Sequence, residues 1–203
     1  MALFIDDFLD ERACDSLLSE LQLQSQNKQG LPTLMVPAQI EQRLHGLLQS
    51  DGSGIKPWMP ETVKVPIVFF NNNEPKIPMP ARMASGSVPL HQDCLNPLDA
   101  EDPGFITGYI AILYLDGSGS FIMSCRGSEE RVEIVPRRLV MWPNCRCLHG
   151  VEAAPGCGRA MLGPMTIDGN GWIQRAHDIH SIHAMDACRS RAAAAEQRGD
   201  DAG

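Results

Sequence analysis

Hydrophobic patterning divides the chain into two textures. In "FIDDFLDERACDSLLSELQ" an apolar triplet, Leu3 to Ile5, precedes Cys14, Leu17, Leu18 and Leu21, which recur at the spacing of one helical face, and Asp10 stands where an N-cap belongs. This predicts a short strand followed by a helix. The stretch "AQIEQRLHGLLQ" (38–49) repeats the helical pattern with Ile40, Leu44, Leu47 and Leu48, and "SDGSG" ends it. From Val63 onward the apolar residues come in short runs broken by Pro, Gly and Asn: "VKVPIVFF", "SVPL", "GYIAILYL", "SFIMSC", "RVEIV", "RRLVMW" and "RAMLGPMTI". Many strand-length runs with frequent turn signals predict a mainly β fold, a barrel or jelly roll with flanking N-terminal helices. The expected organisation is one domain over 1–187, with a helical buttress (1–60) and a β core (61–170). The end, "SRAAAAEQRGDDAG", has little to bury, so 188–203 is expected to be a frayed helix or disordered tail.

Composition agrees with a folded domain, since 43% of the 203 residues are hydrophobic and 21% charged. The net charge of −8, with no cluster of Lys or Arg, argues against nucleic acid or an anionic membrane as a partner. The opening "MALFIDDFLDERACDS" carries acids where a secretory signal needs a basic region, and no apolar run reaches the roughly 18 residues of a membrane helix. A cytoplasmic protein is expected. Seven cysteines (Cys14, Cys94, Cys125, Cys145, Cys147, Cys157, Cys188) form no disulfide framework by spacing, which fits a reducing compartment and small buried side chains. The CxC of Cys145 and Cys147 is not the CxxC of a zinc knuckle.

The chemistry centres on "VPLHQDCLNP" (88–97). Residues two apart on a strand share a face, so His91 and Asp93 can project into one cavity. HxD alone is common. Several strand-lengths later, "RRLVMWPNCRCLHGVEAAPGCGRAML" carries a buried-looking strand through a loop to His149. Two histidines and one carboxylate make the facial triad that holds non-haem Fe(II) and leaves coordination positions open. His91, Asp93 and His149 are therefore the candidate ligands.

With "PLHQD", the core strand "GYIAILYLDG" and "VEIVPRRLVMWPNCRCLHGV" in this order, the chain resembles the Fe(II)- and 2-oxoglutarate-dependent oxygenases, in particular their compact prolyl-4-hydroxylase-like group. The likeness runs from "FIDDFLDERACDSLLSEL" to "RAMLGPMTID". It implies a double-stranded β-helix, a jelly-roll and cupin relative, with Fe(II), 2-oxoglutarate and O₂ as reactants and ascorbate as an optional reductant. It implies that Arg159, ten positions after His149, binds the far carboxylate of 2-oxoglutarate. Arginine suits this because its planar fork meets a carboxylate bidentately and stays charged when buried. Tyr114 matches the strand tyrosine that supports the same carboxylate, ahead of Tyr109. The implied reaction hydroxylates a C–H bond of an amino-acid, peptidyl or small-metabolite substrate and releases succinate and CO₂. Asp93 disfavours halogenation, because related halogenases place a small residue there to admit halide.

Some positions depart from the family. Arg82 and Met83 stand near the place of an aromatic residue that lines the co-substrate pocket. Thr166 is the substitute for a hydroxyl residue that some members carry two positions after the arginine. His177, His180 and His183 sit three apart, which on a helix drifts around the face, so no second metal site is expected. Cys94 should point away from Asp93. Asp99, Glu101 and Asp102 could favour a cationic substrate, though a solvated acidic loop is the simpler expectation. The competing functions are a non-catalytic metal- or ligand-binding module of cupin type, and an iron oxygenase that does not use 2-oxoglutarate.

Overall fold

A computed structural model describes residues 3–26, 32–48, 67–71, 73–91, 93, 109–125, 127–143, 147–167 and 173–175. The chain opens with β1 (Leu3–Ile5) and α1 (Glu11–Gln26), then β2 (Thr33–Pro37) and α2 (Gln39–Leu48). Asp10 caps α1 as expected: its Oδ1 accepts from the Ala13 amide at 3.0 Å. Its Oδ2 accepts from the Phe70 amide at 2.9 Å, which ties the chain near Val68 to the start of the helix. Ala13, Cys14, Leu17 and Leu21 form the buried face. Cys14 is a buried free thiol, as anticipated, and desolvation pushes its pKa up to about 11.

The β strands that follow are β3 (Lys76–Ser85), β4 (Val88–His91), β5 (Tyr109–Gly117), β6 (Gly119–Cys125), β7 (Ser128–Glu133), β8 (Leu139–Pro143), β9 (Leu148–Ala153), β10 (Gly158–Ile167) and β11 (Ile173–Arg175). They form two sheets. The larger runs β1-β8-β5-β10-β3-β2, with β11 added to β10; the smaller runs β4-β9-β6-β7. All ladders within the sheets are antiparallel. This is the double-stranded β-helix expected from the sequence.

The larger sheet is covered on both faces, which explains why its strands read as unbroken apolar runs. In β5, Ala111, Leu113 and Leu115 join the core under α1 and α2, whereas Ile110 and Tyr114 face the interior between the sheets. β8 divides the same way, with Leu139 and Met141 outward and Val140 and Trp142 inward. The smaller sheet has one covered face. In β7 Val132 is buried while Glu129 and Arg131 are exposed, the alternation of a half-solvated strand.

β2 and β3 escaped sequence reasoning. β2 is five residues between two helices, and β3 carries Pro78 and Pro80, which ordinarily demote a strand. The register shows why the prolines are tolerated. Residues 76–80 pair with β2 alone, and 81–85 pair with β10 alone, so each proline sits where one edge of β3 has no ladder to break. Of "VKVPIVFF", 63–66 lie outside the described residues, and Val68 forms one parallel bridge to Leu9. The tail, His177, His180, His183, Cys94, Cys145, Cys188, Asp99, Glu101, Asp102 and the side chain of Thr166 also lie outside them.

The cysteine expectation needs one correction. Cys125 and Cys147 form a disulfide with Cα atoms 4.5 Å apart. The antiparallel register that pairs Ser124 with Leu148 puts these two directly opposite, a cross-strand proximity that spacing along the chain does not reveal. With a sequence separation of 22, the bond closes a loop whose constraint on the unfolded chain is worth about 3 kcal/mol. Reductant is therefore expected to lower the unfolding free energy by about that amount in denaturant titrations, and Cys125→Ala should abolish the difference.

Candidate metal centre

β4 and β9 pair antiparallel in the smaller sheet with His91 directly opposite His149. The two rings lie with centroids 4.3 Å apart. Asp93, just past the end of β4, turns its carboxylate between them: Oδ1 is 3.4 Å from His91 Nε2 and Oδ2 is 3.6 Å from His149 Nε2. All three are buried, and one ligand atom from each lies within 4.8 Å of the others, so the three converge on one small volume that a single ion could occupy. The sequence-predicted trio is thus brought together.

Backbone and ring contacts orient the imidazoles. His91 Nδ1 lies 2.8 Å from the carbonyl oxygen of Pro89, which can only accept, so Nδ1 carries the proton and Nε2 presents a lone pair toward Asp93. His149 is held by rings. Trp142 packs against it at 4.4 Å between centroids, and Phe121 stacks at 6.0 Å with an interplanar angle of 19°. Two ring-packed imidazoles beside one carboxylate are a donor set that suits a divalent cation, the set of a non-haem iron site.

A cavity of about 200 Å³ opens from this trio toward the larger sheet. Tyr114 of β5 and Arg159 of β10 line it. Tyr114 is fully buried, and its Oη has no hydrogen-bond partner among the described residues. Desolvation pushes its pKa upward, while Arg159 pulls the other way. Arg159 is 4% exposed; its Nη1 donates to the Gly86 carbonyl at 2.7 Å, and its Nε is without a partner among the described residues. Burial lowers its pKa from the usual value, opposed by Tyr114. Two buried polar atoms left without partners in an otherwise apolar cavity are costly unless a polar ligand completes them. Tyr109 packs instead against the core under the helices, so Tyr114 is the tyrosine of the cavity.

Two further residues shape the site: one that the sequence placed near the co-substrate pocket, and one that it did not single out. Arg82 of β3 also lines the cavity. Desolvation lowers its pKa most, Asp93 opposes this, and Arg159 adds to it. Gly150 is the other. A Cβ there would lie 2.6 Å from the Val88 carbonyl oxygen and 3.0 Å from the Pro89 carbonyl carbon. Only glycine lets β9 approach β4 this closely, and a glycine inside a strand next to a candidate ligand was the available signal. Gly117 has a similar task beside Arg159. Its φ is +127°, and a Cβ would fall 2.5 Å from that of Arg159.

No family model matches the chain, and no curated protein sequence matches it. Solved structures do. A prolyl-4-hydroxylase from Pseudomonas putida aligns with a TM-score of 0.51 and 17% identity over 79% of this chain and 84% of that one. A prolyl hydroxylase from Trichoplax adhaerens, in complex with a peptide fragment of the hypoxia inducible factor oxygen degradation domain, aligns at 0.49 and 13%, over 79% of this chain and 81% of that one. HygX from Streptomyces hygroscopicus, with nickel and 2-oxoglutarate bound, aligns at 0.39 and 15%, over 90% and 93%. Of these three the Pseudomonas putida enzyme alone exceeds 0.5, and the comparison of folds rests on it. The chain shares the fold of that prolyl-4-hydroxylase, a double-stranded β-helix.

Because Gly150 sets the approach of the two histidine strands, Gly150→Ala is expected to weaken Mn(II) or Zn(II) binding by about 10- to 100-fold in calorimetric titration. Gly46→Ala is the matched control: nothing lies within 4 Å of a Cβ there, and metal affinity should stay unchanged.

Proposed function

We propose that the protein is an Fe(II)- and 2-oxoglutarate-dependent dioxygenase that hydroxylates a C–H bond of an amino-acid, peptidyl or small-metabolite substrate. The observation that carries this reading is the meeting, in one buried cavity, of a His-Asp-His trio with an arginine and a tyrosine, of which Arg159 Nε and Tyr114 Oη have no hydrogen-bond partner among the described residues. His91, Asp93 and His149 are the metal ligands in this reading. Arg159 and Tyr114 receive the far carboxylate of 2-oxoglutarate.

Bound iron supplies the oxidative decarboxylation of 2-oxoglutarate to succinate and CO₂ with O₂, and the transfer of one oxygen atom to substrate. The chain's own residues do the positioning. The Pro89 carbonyl fixes His91 in the tautomer that offers Nε2. Trp142 and Phe121 wedge His149 and exclude water from its flank. Arg159, steadied through Nη1 by Gly86, keeps Nε for the ligand, and Tyr114 stays protonated to donate a hydrogen bond to a carboxylate. A dry, apolar wall strengthens each of these contacts.

The test is an anaerobic titration with Fe(II) and then 2-oxoglutarate, following the visible charge-transfer absorption of the chelated co-substrate. The wild type should develop the band. Arg159→Ala should weaken 2-oxoglutarate binding by on the order of 10- to 100-fold, the value of a charged hydrogen bond. His91→Ala should abolish the band and 2-oxoglutarate decarboxylation together. Iron binding without the band would overturn the co-substrate assignment, and full activity in His91→Ala would overturn the metal assignment.

A further inference from the structure

The cavity contains a second arginine that the proposed chemistry does not use. Arg82 of β3 is half-buried, and its guanidinium makes no hydrogen bond or ion pair among the described residues. The β3–β10 register places Ala84 opposite Arg159 and Arg82 opposite Met161. Arg82 and Arg159 are thus diagonal neighbours on the inner face of one sheet, a separation of about 7–8 Å between backbones. Asp93 is the only carboxylate among the described residues lining the cavity, and it is shared with the two histidines.

Two guanidiniums on one inner face repel each other and resist desolvation, and Asp93 offsets only part of this for Arg82, so anions in the cavity stabilise the arrangement. Counting charges shows how many. With a divalent ion in place, the ion, Arg82 and Arg159 together outweigh Asp93 by three charges, and 2-oxoglutarate cancels two of them. A single positive charge remains, and Arg82 carries it. A guanidinium meets a carboxylate by its planar fork. A phosphate dianion would overshoot the balance.

We propose that Arg82 is the anchor for a carboxylate on the prime substrate, so that the enzyme acts on small carboxylic acids or on the free carboxyl end of a larger molecule. The proposal rests on the dioxygenase reading above. It makes Arg82 a specificity-determining residue, distinct from the arginine assigned to the co-substrate.

The test uses Mn(II)-loaded protein saturated with 2-oxoglutarate and compares benzoate with benzamide, which match in size and differ in charge. The readout is the paramagnetic relaxation of their ring protons by the bound ion, which needs no turnover. Benzoate should be relaxed and benzamide far less. Arg82→Gln should weaken benzoate binding by about tenfold or more while leaving 2-oxoglutarate affinity within about twofold, and Arg82→Lys should restore part of it. Equal relaxation of the two probes, or benzoate binding indifferent to Arg82→Gln, overturns the proposal. If Arg82→Gln weakens 2-oxoglutarate as much as Arg159→Ala does, Arg82 belongs to the co-substrate site and the proposal falls while the dioxygenase reading stands. If neither arginine variant alters 2-oxoglutarate binding, the dioxygenase reading itself fails. Thermal unfolding midpoints of the variants matching wild type establish that they are folded.

Discussion

The register of a single short ladder, β4 against β9, is the constraint on which the site depends. It sets His91 across from His149, and two imidazoles so paired leave one place for the Asp93 carboxylate, between them. Strand pairing slips by whole residues, and a slip of one would turn every side chain of β4 to the opposite face. What pins the register is backbone proximity at Gly150, where no side chain could fit, together with the ring packing of Trp142 and Phe121 on His149. The disulfide between Cys125 and Cys147 closes the ladder's other flank, fastening β6 to the segment that leads into His149.

Around this ladder the fold solves a problem of burial. Among the described residues, four polar or charged ones, His91, Asp93, His149 and Arg159, sit buried among dozens of apolar ones. Such groups stay stable in a core when they are paired or coordinated. The His-Asp-His trio offers coordination, and Arg159 gains one partner in the Gly86 carbonyl. The apolar remainder of the interior makes each polar contact stronger and each missing one more costly.

Much of this was legible in the residues. The helical face of α1 and its Asp10 cap, the jelly-roll texture and the HxD strand with a distant histidine each follow from local pattern. Tyr114 was preferred to Tyr109 on the family resemblance, and the alternation of faces along β5 is why the two, five positions apart, point opposite ways. Other features were hidden because they depend on pairing across the chain. β3 is concealed by its prolines, whose harmlessness is visible only once its two half-ladders are known. The disulfide joins residues whose adjacency is set by the β6–β9 register. Of Arg82 and Met83, both placed near the pocket by sequence, the β3–β10 pairing turns Arg82 into the cavity and leaves Met83 exposed.

The cavity is built from two separate sheets, and their contributions differ in kind. The candidate ion-holding residues come from the smaller sheet and its margin, whereas both arginines and the tyrosine come from the larger one. The larger sheet is clamped on both faces and the smaller on one, so the two walls have unequal stiffness. A molecule that touches both walls therefore acts as a cross-brace. Part of its binding energy goes into holding the sheets in alignment, and occupancy of the cavity and resistance of the β-helix to opening become one linked equilibrium.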